Sequence, residues 1–210
     1  MVYIITGGPA TGKGTRSDIL SKALNIPHIS TGDILREVAL TDEDIKERLA
    51  KGELISDDII TKLLEERLSK DDCKNGFVLD GYPRTISQIY LLNEVLKKLG
   101  KKVDRVIELV VPDELAFKRI LERKKCIQCG RAYGIDFPPV VEDICDDCGG
   151  KLEIRTDDTK ETLKKRIDTY KKNSKEILEY YRNKGLLKTV DASSHSERIV
   201  EEATIDDYNL

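Results

Sequence analysis

Gly7-Gly8-Pro9-Ala10-Thr11-Gly12-Lys13-Gly14-Thr15 follows directly on the apolar run Val2-Tyr3-Ile4-Ile5 and precedes a helical pattern. The junction decides the fold, because a strand that breaks into a glycine-rich turn and resumes as a helix is a phosphate-binding arrangement of α/β proteins. Glycine permits positive φ and close backbone approach, so successive amides face an oligophosphate while the helix offers its positive N-terminus. Lys13 adds a charge for the β and γ phosphates. The spacing G-x-x-x-x-G-K is met by Gly7, Gly12 and Lys13, but Gly14 comes next and the hydroxyl of Thr15 is one place later. That displacement weakens the case for a hydroxyl bound directly to Mg²⁺.

Outward from this loop, short apolar runs alternate with longer helical patterns, which is the signature of an α/β chain. Strands are expected at Val2 to Thr6, His28 to Ser30, Phe77 to Leu79, Val106 to Val111 and Leu187 to Val190. Their nearly unbroken apolar character suits five parallel strands covered on both faces. Helices are expected over Gly14 to Leu24, Asp33 to Glu37, Asp42 to Lys51, Asp57 to Ser69, Ser87 to Leu99, Glu114 to Lys124, Thr159 to Lys184 and Glu197 to Ala203. One segment breaks the rhythm: Cys126 to Ile154, rich in Gly, Pro, Asp and Cys, reads as an insertion between two helices.

Charge limits the partners. Charged residues make up 36% of the 210, but Lys+Arg 36 against Asp+Glu 39 leaves a net charge of −3. That balance provides no strong field toward nucleic acid or an anionic membrane. No apolar stretch approaches about 20 residues and the chain opens on a strand, so the expectation is a soluble cytoplasmic protein. Four of the five cysteines lie in two C-x-x-C pairs, which suits a metal site in a reducing compartment better than disulfides.

Two further stretches carry chemistry. Ser30-Thr31-Gly32-Asp33-Ile34-Leu35-Arg36 follows a short strand; helix capping explains its hydroxyls and carboxylate but not Arg36. Gly76-Phe77-Val78-Leu79-Asp80-Gly81-Tyr82-Pro83-Arg84-Thr85 is a strand ending in an acid, a turn and an arginine, where open α/β sheets bind ligands. Asp80 is suited to hold Mg²⁺ through water, since that hard ion keeps much of its hydration shell. Its plainer reading is a helix-capping acid in a turn. Arg119 and Arg123 share a helix face, Arg155 precedes Asp157-Asp158, and Arg166 lies on the next long helix. Any one of them is ordinarily a solvated basic residue, but together they match the spread charge of a transferring phosphoryl group.

Cys126 and Cys129 are followed, after fifteen residues, by Cys145 and Cys148. Four thiolates complete a tetrahedral zinc shell with no open position, which marks a structural site. Metal would supply folding energy that so short and polar an insertion cannot draw from apolar burial. Cys73 is left over and reads as an ordinary thiol.

Taken in order, these motifs resemble the adenylate kinases of the zinc-bearing, long-lid type, within the nucleoside monophosphate kinases. The resemblance spans nearly the whole chain and implies a P-loop core with a five-stranded parallel sheet (1–29, 60–123 and 159–210). It also implies a mobile NMP-binding domain (30–59) and a zinc-binding lid (124–158). It implies reversible transfer from MgATP to AMP giving two ADP, with Mg²⁺ as reaction metal, zinc as structural metal, and a monomer without nucleic-acid or membrane partners. By residue, it implies ATP binding by Gly8, Pro9, Ala10, Thr11, Gly12, Lys13, Gly14 and Thr15 together with Arg119 and Arg123. Thr31, Gly32, Arg36, Gly81, Arg84, Gln88, Arg155 and Arg166 would bind AMP, with Arg36 and Arg84 on its phosphate and Thr31 and Gln88 on its base. Lys13, Arg84, Arg119, Arg123, Arg155 and Arg166 would be catalytic, and Asp157 and Asp158 hinge acids of the lid. Two departures bear on base selectivity: the stretch from Glu37 to Lys51 is short for this type, and Asp191-Ala192-Ser193-Ser194-His195 replaces a glycine-containing turn. A nucleoside monophosphate kinase of broader specificity is the alternative. A P-loop switch lacks a guanine-reading motif here, and a zinc-ribbon nucleic-acid binder lacks a basic excess.

Overall fold

The computed structural model describes residues 1–154, 159–193 and 199. Its central strand, β1 (Val2–Gly7), is apolar on both faces, and that property organises the core. Val2 and Ile4 enter one cluster with Leu64, Phe77, Leu79, Leu92 and Tyr181, whereas Tyr3 and Ile5 enter another with Leu20, Val78, Ile107 and Leu109. A strand buried on both sides requires helices on both sides. α4 (Asp57–Leu68), α5 (Ile86–Lys98) and α7 (Lys160–Asn183) contribute to the first cluster, and α1 (Lys13–Leu24) to the second. Each fully buried Ile or Leu stabilises the fold by about 1.5–3 kcal/mol relative to exposure.

The remaining strands of this sheet are β2 (His28–Ser30), β3 (Phe77–Asp80), β4 (Arg105–Val110) and β8 (Leu187–Asp191), all parallel, in the order β2-β3-β1-β4-β8. The five strands therefore stand where the apolar runs placed them. In this register Ile5 and Ser30 are both opposite Asp80. The glycine-rich turn, the chain leaving β2 and the turn after β3 thus emerge together at one edge of the sheet, that of the strands' carboxyl ends.

Two arms extend from this edge. The first contains α2 (Thr31–Val38) and α3 (Glu43–Ala50), capped by Ser30 Oγ and Asp42 Oδ1, which accept from the Asp33 and Ile45 amides. The expected domain limits at 30 and 59 fall inside β2 and α4: Ser30 pairs with Asp80, and Ile60 belongs to the core. The second arm follows α6 (Asp113–Leu121) and holds a small antiparallel sheet of β5 (Lys124–Cys126), β6 (Ala132–Tyr133) and β7 (Leu152–Ile154), ordered β6-β5-β7. The helix expected to reach Lys124 stops at Leu121 instead. Lys124 is extended because it pairs with Tyr133 on one side and Ile154 on the other.

A short 3₁₀ turn at Asp71–Cys73 was not foreseen; it tucks Cys73 into the core, where burial pushes the thiol up to about 11. The helix expected at Glu197 to Ala203 lies outside the described residues apart from Ile199. No described helix is long and apolar enough to cross a membrane.

Candidate active site

The glycine-rich turn is built for close approach. Gly7 has φ 145°, and a Cβ there would meet the Leu109 carbonyl oxygen at 2.5 Å, so no other residue fits. Ala10 and Gly12 also have positive φ, and Gly12 caps α1. Such a sequence of turns leaves the first amides of α1, on Lys13, Gly14 and Thr15, without helical acceptors. Thr11 Oγ1 donates to the Gly8 carbonyl at 3.0 Å, closing the loop.

The Lys13 ammonium folds back over this turn and donates to the Gly7 and Gly8 carbonyls at 2.9 and 2.7 Å. Burial of the ammonium lowers its pKa to about 8; Asp80 opposes the fall, while Arg84, Arg123 and Arg166 add to it. Three arginines from three different segments therefore bring their fields onto one lysine. So much positive charge in one place favours an anion there.

Asp80, at the end of β3, faces the same space. His28 Nε2 lies 3.7 Å from Asp80 Oδ2, beyond hydrogen-bond reach but within ion-pair range, and His28 Nδ1 lies 2.6 Å from Asp18 Oδ1. Burial disfavours the imidazolium, yet the two carboxylates outweigh it and lift His28 to about 9. His28 and Asp80 thus support each other's charge at the wall of the cleft. Thr31, buried, donates to the Asp80 carbonyl at 3.1 Å and so fastens α2 to β3.

Arg36 lies across Gly32 and donates to Asp33 Oδ1 at 2.7 Å. Arg84 Nε donates to the Gly81 carbonyl at 2.7 Å, which bends its guanidinium over the turn after β3. Gln88 is buried one helical turn further on and accepts from the Arg84 amide. Arg119, also buried, is 2.6 Å from Asp136 Oδ2 of the cysteine arm, and its Nη2 is 3.5 Å from the Ser193 carbonyl.

One cleft of about 1670 Å³ joins these groups: its walls include Lys13, Asp80 and the arginines 36, 84, 119, 123 and 166. A pocket for one small ligand needs about 300–1,000 Å³, so this one has room for more. Of the expected residues, Arg155, Asp157 and Asp158, and the end of the turn at Ser194 and His195, lie outside the described residues. Arg16, His28, Asp57 and Asp136 also contact residues of the expected site, Asp18 contacts His28, and no motif of the sequence marks them. Arg16 is the clearest case: it is 4% exposed and donates to the carbonyls of Thr11 and Ala192, bracing the loop against the chain leaving β8. Only its place directly after Gly-Lys-Gly-Thr hinted at that role.

The four cysteines of the second arm converge, with all four Sγ atoms within 4.8 Å of one another. Cys126 and Cys148, and Cys129 and Cys145, are each 3.5 Å apart, and Tyr133 Oη donates to Cys145 Sγ at 3.3 Å. A Cβ on Gly150 would come 2.9 Å from Cys126 Sγ, so the chain passes this cluster as closely as only glycine allows. The donor set and spacing fit a single tetrahedral metal ion of the thiolate-binding kind.

Comparison with known proteins agrees with this geometry. A family model described as adenylate kinase matches residues 5–186. The adenylate kinase of Caldicellulosiruptor bescii is 46% identical over 192 residues, covering 89% of each chain. That of Archaeoglobus fulgidus is 44% identical over 207 residues, covering 96% of this chain and 95% of its own. That of Clostridium tetani is 40% identical over 206 residues, with the same two coverages. With the phosphate loop, the arginine-lined cleft and the cysteine arm in family order, the chain belongs to the adenylate kinase family.

Proposed function

We propose that the protein catalyses reversible phosphoryl transfer from MgATP to AMP, giving two ADP. The observation that carries this reading is the convergence of Arg84, Arg123 and Arg166 on Lys13 at the mouth of an anion-binding loop. Lys13 and the loop from Gly8 to Thr15, through its backbone N–H groups, of which Pro9 has none, hold the donor phosphates. Arg36 and Arg84 hold the acceptor phosphate, and Gln88, with Thr31, contacts the acceptor base. Arg119, Arg123 and Arg166, joined by Arg155, surround the group in flight. An oxygen of the AMP phosphate attacks the γ phosphorus in line, the bond to the bridging oxygen breaks, and ADP leaves with that electron pair. No side chain takes the phosphoryl group, so catalysis is positioning and charge stabilisation.

Mg²⁺ bound with ATP would supply charge neutralisation on the β and γ oxygens, and Asp80 is the residue to hold it through water. The α2–α3 arm (30–59) serves as the acceptor arm and the cysteine arm (124–158) as a lid that excludes water when closed. Cys126, Cys129, Cys145 and Cys148 would hold structural zinc, with every ligand position taken by protein.

The test is a coupled assay with MgATP and each of AMP, GMP, UMP and CMP as acceptor. Efficient transfer to AMP, with the others well below it, is expected. Hydrolysis of ATP without transfer to any monophosphate would overturn the reading, and similar rates with several acceptors would show a broader nucleoside monophosphate kinase.

A further inference from the structure

Gln88 is 2% exposed, and both ends of its amide are engaged. Oε1 accepts from the Arg84 backbone N–H at 2.6 Å, and Nε2 donates to Asp57 Oδ1 at 2.7 Å. A main-chain N–H cannot accept and a carboxylate cannot donate, so together these bonds admit one orientation of the amide. Asp57, in the first turn of α4, is itself held in place. Its Oδ2 accepts from Ser87 Oγ at 2.5 Å and from Thr85 Oγ1 at 3.1 Å. The Thr85 hydroxyl in turn accepts the Gln88 N–H at 3.2 Å as the cap of α5.

We infer that Asp57 is a positioning residue that sets acceptor selectivity: by fixing the Gln88 amide it makes the site accept a 6-aminopurine and reject a 6-oxopurine. The inference rests on the proposed reading of Gln88 as a contact to the acceptor base. Each end of the amide keeps one further bonding position, a lone pair on Oε1 and a hydrogen on Nε2. A 6-aminopurine offers the complement, an exocyclic amine that donates beside a ring nitrogen that accepts. A 6-oxopurine offers the reverse, an oxygen that accepts beside a ring N–H that donates. An amide free to turn over serves either base. Turning it over here would set Nε2 against the Arg84 N–H and Oε1 against the Asp57 carboxylate, two buried mismatches where there were two bonds.

The experiment compares AMP and IMP as acceptors at saturating MgATP for the parent, Gln88→Ala, Asp57→Ala and Asp57→Asn, with KM for ATP and Tm for each. Gln88→Ala and Asp57→Ala are each expected to lower the AMP-to-IMP ratio of kcat/KM by about tenfold, as when one base-reading bond is lost. Asp57→Ala should leave KM for ATP unchanged. Asp57→Asn should keep the parental ratio, because its oxygen can still accept from Gln88 while its amide nitrogen donates to the two hydroxyls. If Asp57→Ala does not fold, Asp57→Ser, a residue well tolerated where helices begin, takes its place. A parental ratio in Asp57→Ala or its Ser substitute, with Gln88→Ala altered, would overturn the positioning role and leave the base contact standing. An unchanged ratio in Gln88→Ala would instead remove the base contact and the inference with it. Asp57→Asn as impaired as Asp57→Ala would assign the effect to charge and overturn the orienting role.

Discussion

The Lys125 ammonium, on the first strand of the cysteine arm, lies 2.5 Å from Asp33 Oδ1 on α2, 92 positions away. The same oxygen accepts from Arg36 at 2.7 Å, so one carboxylate ties the two arms together over the cleft. Burial disfavours the charge on Asp33, but Arg36 and Lys125 outweigh it and hold its carboxyl well below the usual range.

Lys125→Met is expected to open the arms modestly. The pair is half-exposed, and pairs of that kind contribute about 0–1 kcal/mol, or at most about a fivefold change in the closed-to-open ratio. Fluorescence transfer between labels on the two arms reads that ratio, and raised salt should mimic the substitution. Because the folded pKa is depressed, the bridge survives acidification through the ordinary carboxylate range and is lost on the acid side only as pH falls through the lowered value of Asp33. Equal transfer in parent and variant at every salt concentration would deny the bridge any part in closure.

Lys13→Met should reduce turnover by at least about a hundredfold, since the ammonium acts where charge develops. The parent carries a second signature. With Lys13 titrating near 8 in the free protein, its positive charge is lost as pH rises through that value, and bound phosphate restores it. Affinity for tripolyphosphate should therefore fall above pH 8, with proton uptake on binding. Calorimetry in buffers of different ionisation enthalpy measures both, and constant affinity from pH 7 to 9.5 would contradict the assignment.

Arg36→Ala and Arg84→Ala should each raise KM for AMP by about tenfold or more, far more than KM for ATP, as expected for guanidiniums that grip the acceptor phosphate. Initial-rate kinetics with each substrate varied decides the point. Equal effects on the two substrates would place these arginines on shared ground instead.

Cys145→Ser should lower zinc content from about one per chain and loosen the cysteine arm, whose core among the described residues is Cys126, Tyr133, Cys145 and Leu152. Thermal unfolding should show the arm melting earlier while the parallel sheet persists, and activity should decline because Arg119 is paired with Asp136 of that arm. Elemental analysis and scanning calorimetry test this. A zinc-free parent after metal-replete expression, or a variant equal to it in stability, would refute the structural-metal assignment without touching the kinase reading.

By itself the sequence determined the five strands of the parallel sheet, the glycine-rich loop and the cysteine set, because each is written in neighbouring residues. Apolar runs make buried strands, glycines at fixed spacing make a tight turn before a helix, and two C-x-x-C pairs supply four thiols of metal-ligand spacing. Tertiary structure alone decided which side chains act on one another across long separations. Asp57 reads locally as an ordinary acid at a helix start, His28 as a strand residue and Lys125 as one of many solvated cations. Their roles arise because strand register and helix packing bring Asp57 to Gln88, His28 to Asp80 and Lys125 to Asp33. A hydrogen bond or ion pair acts over a few ångströms, and only the folded chain sets those distances for residues tens of positions apart.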